Sequence, residues 1–411
     1  MSVHADFAVV GAGIVGLSVA RQLAIEQPRA HVVVFDKEEH LAAHASGRNS
    51  GVLHAGFYYS PDSLKARLTR RGNRLLHEFC EQHEIPVRNC GKVVVASGPQ
   101  ELERLTELAR RAVANDVPVD LITPDRLAEL EPLARTHEQA LWSPSTSVAD
   151  PAAVVHGVAR DAERRGVHLM LRQPVLAAEP GRLLTPVGSF SVGHIVNCAG
   201  LHADRVAGWF GMCDDYTVLP FKGTYRYLDW APGTQQRHVY PVPDPLFPFL
   251  GVHATVTVAG RTKIGPTAIP VPSRENYRRL QGIDWHDLAP TALGLARFLA
   301  HRPRDSAPLV RAELRKYRTA SLVADAARLV PAIRPSAVAG TGRPGIRAQL
   351  VNTRTGELEM DFVVRGDDRS THVLNAVSPA WTSALATAEF VVAGILGGGS
   401  QSGGPAGPIG G

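Results

Sequence analysis

The N-terminal stretch Phe7-Ala-Val-Val-Gly11-Ala-Gly13-Ile14-Val15-Gly16 decides the fold of this chain. An apolar run typical of a buried strand leads into a Gly-x-Gly-x-x-Gly turn, and apolar residues at helical spacing follow it. In such a turn the first glycine permits a tight bend, the second lets a pyrophosphate approach the backbone, and the third lets the helix pack on the sheet. Free N–H groups at the helix N-terminus can then bind the anion. The stretch therefore predicts a Rossmann-type dinucleotide site.

A second apolar run ends at Asp36, about twenty residues after the glycine turn. A carboxylate at this point accepts hydrogen bonds from a ribose hydroxyl and repels a 2′-phosphate. FAD or NAD is therefore favoured over NADP. A glycine motif alone is weak evidence, but a strand before it, a helix after it and an acid at this distance strengthen the interpretation. This unit predicts cofactor contacts from Gly11, Gly13, Ile14, Val15, Gly16, Asp36 and Lys37.

Residues 45–59 are small, polar and glycine-rich, where an NAD-binding protein would usually continue with a plain helix. Backbone donors and hydroxyl groups in such a loop can surround a large cofactor. The loop therefore favours FAD over NAD. It predicts further cofactor contacts from Ser46, Arg48, Asn49 and Ser50.

The run Gly47-Arg-Asn-Ser-Gly-Val-Leu-His-Ala-Gly-Phe-Tyr-Tyr-Ser-Pro-Asp-Ser-Leu-Lys-Ala-Arg67 resembles the L-2-hydroxyglutarate dehydrogenase/oxidase family, within the D-amino-acid-oxidase-like superfamily of FAD-dependent oxidoreductases. The resemblance covers nearly the whole chain, from Asp6 to about Ile395. Its most specific part is the proline-rich run that ends at His253. It implies an α/β fold, in which a discontinuous Rossmann-type FAD-binding domain carries an inserted α+β substrate domain with an antiparallel sheet. Thr224 departs from the family, which often has an acid there.

The domain boundaries follow from the pattern of strands, helices and turns. We assign 1–85, 150–215 and 331–396 to the FAD-binding domain, and 86–149 and 216–330 to the substrate domain. The glycine-rich segment 397–411 is predicted to be a disordered tail. The main helices are predicted over 64–83, 99–115, 151–165, 289–300 and 313–329, with a last helix that ends near 396.

Three later segments supply the remaining predicted cofactor contacts. Val175 lies in a run that resembles the strand whose backbone contacts adenine, and Ala199-Gly200 lies in a turn that passes close to the cofactor. Near the C-terminus, Asn375, Ser378 and Pro379 connect a strand to the last helix. If the N-terminus of that helix points at the flavin N1/O2 edge, its dipole would stabilise the reduced anionic ring.

Oxidation of an alcohol beside a carboxylate needs a hydride acceptor, a base for the hydroxyl proton and a cation for the carboxylate. The flavin accepts the hydride at N5, and a histidine is the natural base because its unperturbed pKa is about 6.5. His54 and His253 are the two candidate bases, and for each a structural, hydrogen-bonded histidine is the alternative. Arg334, in a run that resembles a substrate-side motif of the superfamily, is the first candidate to bind the α-carboxylate. Further candidate substrate contacts are Tyr58, Tyr59, Lys222, Tyr240 and Arg347.

The composition of the chain excludes several kinds of protein and of binding site. The chain has 411 residues, a net charge of +5 and four cysteines. The cysteines lack CxxC or zinc-like spacing, so no disulfide framework or metal site is predicted. The positive charge is not arranged as a nucleic-acid-binding module. Without a signal-peptide layout or a long apolar run, we expect a cytoplasmic protein without a transmembrane segment, which could touch the inner membrane face peripherally.

These features together predict FAD-dependent oxidation of an L-2-hydroxy acid, first of all L-2-hydroxyglutarate to 2-oxoglutarate, by hydride transfer from Cα to flavin N5. We expect non-covalent FAD, a small anionic substrate, and oxygen or a membrane quinone as electron acceptor. The alternatives are an amine or amino-acid oxidase of the same fold, a specialised alcohol-oxidising relative, a flavin-binding protein without turnover, and an unrelated NAD-binding protein.

Overall fold

The computed structural model describes residues 3–244, 249–278, 281–301 and 303–397. The tail predicted at 397–411 therefore lies outside the described residues apart from Gly397. The α-helices are α1 Ile14–Glu26, α2 Leu64–Gln82, α3 Leu102–Ala114, α4 Pro124–Leu130, α5 Pro151–Arg164, α6 Ala203–Gly208, α7 Trp285–His301, α8 Pro303–Arg315, α9 Thr319–Ala327 and α10 Ala380–Leu396.

The strands follow the same chain order. They are β1 Val3–Val10, β2 Val32–Phe35, β3 Val52–Leu53, β4 Val87–Arg88, β5 Lys92–Val95, β6 Asp120–Ile122, β7 Ala140–Ser143, β8 Ser147–Ala149, β9 His168–Met170, β10 Ala177–Glu179, β11 Arg182–Thr185, β12 Gly188–Asn197, β13 Tyr216–Gly223, β14 Arg226–Leu228, β15 His238–Pro241, β16 His253–Val256, β17 Thr262–Gly265, β18 Ile269–Pro270, β19 Val338–Thr341, β20 Gly345–Asn352, β21 Val364–Gly366 and β22 Ser370–Val373.

The first sheet is a Rossmann-type layer. Strands β9, β2, β1, β12 and β22 pair in parallel, and β11 and β10 extend the sheet as antiparallel strands. Apolar residues of α1, α2, α5 and α10 form one core with this sheet. Asp150 caps α5, because its Oδ1 accepts the N–H groups of Ala152 and Ala153, each at 2.9 Å.

The second sheet has the order β19-β14-β17-β16-β15-β5-β7-β6 and is antiparallel except between β15 and β5. That parallel pair joins the two chain segments that the sequence assigned to the substrate domain. Helices α4 and α9 pack against this sheet through Leu127, Leu322 and Ala326. A smaller sheet, β18-β13-β20, completes the region.

Two sequence-based boundaries need correction. The third FAD-domain segment was expected to begin at 331, but β19 pairs with β14 and β20 pairs with β13, both in the second region. The chain returns to the Rossmann sheet only at β21 and β22. The single helix expected over 313–329 is two helices, because i→i+3 hydrogen bonds at 316–318 end α8 before α9 begins.

The other predicted helices agree closely with the structure, although 99–101 is a 3₁₀ turn that precedes α3, and α7 begins at Trp285 rather than near residue 289. In the described part of the chain, none of the helices has both the length and the apolar character needed to cross a membrane.

Candidate active site

A cavity of about 1690 Å³ runs from the glycine turn after β1 to the face of the second sheet. Pockets for drug-sized ligands occupy roughly 300–1,000 Å³. The cavity therefore has room for a dinucleotide and a small substrate together. Its two ends differ in chemistry, as the lining residues show.

The glycine turn forms the first end of the cavity, as the sequence predicted. Gly11 has a φ of +106°, and a Cβ there would lie 2.5 Å from the carbonyl oxygen of Cys198. A Cβ on Gly16 would overlap the carbonyl oxygen of Gly11. Gly13 faces the cavity, while the N–H of Ile14 donates to Ser46 Oγ at 2.9 Å. Gly11, Gly13, Ile14 and Val15 line the cavity, and Gly16 is instead a packing glycine at the base of α1.

Asp36 lies at the end of β2 and lines the cavity. Its Oδ2 accepts the N–H of Ala12 at 2.6 Å and its Oδ1 accepts the N–H of Glu38 at 2.8 Å. These bonds fix the carboxylate beside the turn, and each oxygen keeps a second lone pair for a ribose hydroxyl. Lys37 also lines the cavity, but its Nζ lies 2.9 Å from Glu275 Oε1, so it links the two regions of the protein.

The glycine-rich loop after β2 covers the middle of the cavity. Asn49 Nδ2 donates to the carbonyl oxygen of Ser46 at 2.8 Å, and the Arg48 guanidinium lies 4.3 Å from the ring centre of Tyr277. Ser50 also faces the cavity. The other predicted cofactor residues found along the cavity wall are Val175, Ala199, Gly200, Ser378 and Pro379. A turn with glycine at positions 11 and 13, the N-terminus of α1 and a fixed carboxylate fit the pyrophosphate and ribose of FAD.

The structure does not support the predicted cofactor contact from Asn375. This side chain is fully buried and is not part of the cavity wall. Its Nδ2 donates to the carbonyl oxygen of Glu359 at 3.0 Å, and its Oδ1 accepts the N–H of Leu350 at 3.3 Å. Asn375 therefore joins the end of β22 to β20 and the chain that follows it.

The N-terminus of α10 reaches the cavity, where Trp381 and Thr382 line the wall. Thr382 Oγ1 donates to the carbonyl oxygen of Val52 at 3.1 Å and accepts the N–H of His54 at 3.2 Å. This hydroxyl fixes the loop that carries His54 against the helix terminus. The partial positive charge of the helix N-terminus therefore lies beside His54.

The second end of the cavity combines aromatic, cationic and imidazole side chains. The residues that line it are His54, Tyr58, Tyr59, Lys65, Tyr225, Tyr240, His253 and Arg347. Positive charge from Arg347 and Lys65 in an aromatic enclosure favours an anionic ligand, since an anion can hydrogen-bond to both. Of the predicted substrate contacts, Tyr58, Tyr59, Tyr240 and Arg347 are brought together here.

Arg347 projects from β20 opposite Phe221 of β13, and both residues line the cavity. Among the described residues, its guanidinium makes no hydrogen bond or ion pair, and it lies 4.9 Å from the ring centre of Phe249. Burial lowers the pKa of Arg347 to about 10, so the group remains charged. A partly enclosed guanidinium without an acidic partner is a ready site for a carboxylate.

Two predicted cationic contacts do not reach the cavity. Arg334 is exposed in the turn before a 3₁₀ segment, because the buried Ile333 holds the turn and directs its neighbour outwards. Lys222 is buried, and its Nζ donates to the carbonyl oxygen of Asn276 at 3.0 Å and to its Oδ1 at 3.2 Å. Neither lines the cavity, so the structure does not support the predicted substrate contacts from Arg334 and Lys222.

The two candidate histidines are held differently. His253 Nδ1 lies 2.8 Å from the carbonyl oxygen of Gly251, so Nδ1 carries the proton, and its ring stacks on Tyr240 with centres 3.9 Å apart. His54 has a buried Nδ1 without a hydrogen-bond partner among the described residues. Burial lowers the pKa of His253 to about 3, and burial together with the charge of Lys92 holds the pKa of His54 well below its usual range. Both rings are therefore neutral.

Two lysines that the sequence did not single out lie near this end: Lys65 lines the cavity, whereas Lys92 contacts aromatic side chains of the cavity wall without lining it. Lys92 on β5 is fully buried, and its Nζ lies 4.5, 4.3 and 5.0 Å from the ring centres of Phe57, Tyr58 and Tyr240. It has no hydrogen-bond partner among the described residues, and burial lowers its pKa to about 7. The only sign of Lys92 in the sequence is its position as the first residue of an apolar strand. Lys65 lies in the predicted helix over 64–83, where the sequence does not distinguish it from a surface lysine.

Comparison with known proteins agrees with this geometry. A family model described as FAD dependent oxidoreductase (DAO) matches residues 6–393. The mitochondrial L-2-hydroxyglutarate dehydrogenase of Caenorhabditis elegans is 36% identical over 413 residues, which cover 94% of this chain and 92% of that protein. The L-2-hydroxyglutarate dehydrogenase of Escherichia coli K12 is 33% identical over 400 residues, with the same two coverages.

A solved structure shows the same fold. The dithionite-reduced L-α-glycerophosphate oxidase of Mycoplasma pneumoniae, determined with FAD bound, matches with a TM-score of 0.73 at 21% identity, and the match covers 96% of this chain and 95% of that one. The predicted fold class and the predicted FAD cofactor are thus confirmed. The chain belongs to the FAD-dependent oxidoreductase family and, within it, to the L-2-hydroxyglutarate dehydrogenase family.

Proposed function

We propose that this protein oxidises an L-2-hydroxy acid, in the first place L-2-hydroxyglutarate, to the 2-oxo acid. The observation that carries the proposal is the Arg347 guanidinium, which forms no hydrogen bond or ion pair with a described residue and lies in the same cavity as a neutral His54 and the dinucleotide turn. The names of the relatives support the hydroxy-acid substrate. FAD, when bound, supplies the hydride acceptor for the Cα–H bond.

Arg347 binds the α-carboxylate. Its planar fork can donate two parallel hydrogen bonds, which orient the carboxylate as well as attract it. A carboxylate held in this way restricts rotation about Cα and presents one hydrogen of the substrate to the cofactor. Tyr58 and Tyr240 have buried hydroxyl groups without partners among the described residues, so they are the candidate hydrogen-bonding groups for the remaining substrate oxygens.

His54 takes the proton of the substrate hydroxyl. Its ring makes no hydrogen bond to the described residues, whereas the Nδ1 of His253 is already bonded to a carbonyl group. Thr382 fixes the backbone of His54 beside the N-terminus of α10. When the alcohol is oxidised, the proton goes to His54, the hydride leaves with its electron pair, and a C=O bond forms. His253 and Tyr240, stacked together, form part of the wall of the same cavity.

An amine or amino-acid oxidase is the competing function, because Arg347 could hold the carboxylate of an amino acid in the same way. The two activities give different products. A hydroxy acid yields the 2-oxo acid alone, whereas an amino acid yields it with ammonia. We expect 2-oxoglutarate from L-2-hydroxyglutarate with an artificial electron-accepting dye, and no ammonia from L-glutamate; ammonia release would contradict the proposal.

The proposal also covers how FAD is bound and which molecule accepts its electrons. We infer non-covalent FAD, held by the backbone groups and carboxylate of the glycine-turn end, so that acid precipitation should release all flavin into the supernatant. Reduced FAD passes its electrons to oxygen or to a membrane quinone. A cytoplasmic location with peripheral membrane contact stays a prediction.

The charge of Lys92 should be visible in the pH profile. Burial lowers the pKa of His54, and positive charge at Lys92 lowers it further, so the wild-type kcat/KM should not fall between pH 8 and pH 6. Lys92→Met removes that charge and raises the pKa of His54, so kcat/KM should begin to fall at a higher pH. Steady-state assays from pH 5 to pH 9 measure this, with Lys92→Arg as the variant that keeps the charge. Identical acid limbs in all three proteins would refute this role of Lys92.

A further inference from the structure

Lys65 lies in the first turn of α2 and lines the cavity, although it is only 5% exposed. Its Nζ donates to the carbonyl oxygen of Met360 and lies 5.6 Å from the ring centre of Tyr59. Its position is fixed by Asp361, whose two carboxylate oxygens accept the N–H groups of Leu64 and Lys65, each at 2.8 Å. The ammonium group is therefore held at the cavity wall by the backbone around it.

Among the described residues, the ammonium group of Lys65 forms no ion pair, and its hydrogen bond goes to the carbonyl oxygen of Met360. Asp361 uses its carboxylate oxygens on the N–H groups at the start of α2 and on the N–H of Phe362 at 2.8 Å. Burial and the nearby charge of Arg347 lower the pKa of Lys65 to about 7, although the charge of Asp361 partly opposes this. Neither Lys65 nor Arg347 forms an ion pair with a described residue, and two such cations in one enclosed space are costly unless a ligand brings negative charge to both.

A single carboxylate can supply the negative partner of only one of these two cations. Arg347, with its planar fork, suits the α-carboxylate that must be oriented. Lys65 is a compact point charge with three donors, one of which is used by Met360, so two remain for a second anionic group. The two cations come from different elements, β20 and α2, and they define two separate points of attachment.

We propose that Lys65 binds the second carboxylate of the substrate and makes the site selective for dicarboxylic over monocarboxylic L-2-hydroxy acids. This inference rests on the proposed function, in which Arg347 binds the first carboxylate. Lys65 is thus a specificity-determining residue, and it takes no part in proton or hydride transfer.

The test compares L-2-hydroxyglutarate with its γ-amide, which has the same shape but lacks the second charge, and with L-2-hydroxybutyrate, which lacks the second carboxylate. The wild-type enzyme should prefer the diacid over the amide by about 10- to 100-fold in kcat/KM, the range for hydrogen bonds to charged groups. Lys65→Met should raise KM for the diacid by a similar factor, with little change in kcat. For the amide and the monoacid, it should change kcat/KM by less than about threefold.

Two variants act as controls. Lys65→Arg keeps the charge and should retain most of the preference for the diacid. Arg67→Met removes an exposed cation two residues along the same helix, and it should leave the preference unchanged. FAD content and melting temperature show whether each variant is folded.

The outcomes separate the inference from the proposed function. If the wild-type enzyme oxidises none of the three hydroxy acids, the proposed function fails. If it oxidises L-2-hydroxyglutarate but Lys65→Met lowers kcat/KM for the diacid and the amide equally, Lys65 has only a structural role and the inference is wrong. Loss of preference in Arg67→Met would also overturn it, because general surface charge would then explain the selectivity.

Discussion

Arg347→Met should lower kcat/KM for L-2-hydroxyglutarate by about 10²- to 10³-fold, the range for loss of one partner of a buried, hydrogen-bonded ion pair. Among the described residues, the guanidinium of Arg347 has no acidic partner, so its removal leaves no such carboxylate unpaired, but the substrate loses the cation that orients it. We expect KM to rise and kcat to fall, since the carboxylate sets the angle at which Cα meets the cofactor. Steady-state kinetics with a reducible dye measure both constants.

Arg334→Met is the matched control for this prediction. Arg334 is exposed and lies away from the cavity, so its replacement should change kcat/KM by less than about twofold. Arg347→Lys should recover only part of the activity, because an ammonium group keeps the charge but loses the planar fork. Activity that survives in Arg347→Met and disappears in Arg334→Met would reverse the assignment and restore the arginine favoured by the sequence.

His54→Gln should lower kcat by about 10²- to 10⁴-fold, the usual contribution of a general base. Glutamine keeps hydrogen-bonding groups in the side chain but cannot take up the hydroxyl proton. The backbone N–H of residue 54 still reaches Thr382, so FAD content should stay close to that of the wild-type enzyme. The rate of flavin reduction in a single anaerobic turnover measures the chemical step directly.

His253→Gln provides the comparison for that experiment. His253 already donates from Nδ1 to Gly251 and stacks on Tyr240, so its loss should disturb the cavity wall and cost about tenfold or less in the rate of flavin reduction. A loss in His253→Gln that exceeds the loss in His54→Gln would identify His253 as the base.

The glycine-turn end of the site was predictable because its determinants are local in sequence. Gly11, Gly13 and Gly16 act through the backbone geometry of one turn, and Asp36 follows at the distance that a βαβ unit dictates. The helix caps are equally local, as Asp150 shows. Short-range chemistry of this kind can be read from one sequence without knowledge of the tertiary packing.

The substrate end depends on contacts between distant parts of the chain. Arg347 reaches the cavity because β20 pairs with β13, and nothing in its own neighbourhood distinguishes it from the exposed Arg334. Lys65 has the sequence pattern of a surface lysine and is buried by the chain around Met360, far along the sequence. Lys92 is enclosed by aromatic rings from two other segments.

Two of the three corrected polar contacts, Asn375 and Lys222, have the same origin. Asn375 and Lys222 lie beside residues that do line the cavity, yet their polar atoms satisfy backbone carbonyl groups of neighbouring segments instead. A buried polar residue in a motif can serve the fold as readily as the ligand, because buried polar groups need hydrogen-bond partners. Only the three-dimensional arrangement separates the two roles.

Anaerobic reduction of the bound flavin tests the central claim most directly. L-2-hydroxyglutarate, D-2-hydroxyglutarate, L-lactate and L-glutamate are added separately to the oxidised holoenzyme, and the loss of the visible flavin absorbance is followed. We predict fast and complete bleaching by L-2-hydroxyglutarate, little by L-lactate, and none by the D enantiomer or by L-glutamate. Bleaching by L-glutamate without bleaching by L-2-hydroxyglutarate would contradict the account and identify an amino-acid oxidase.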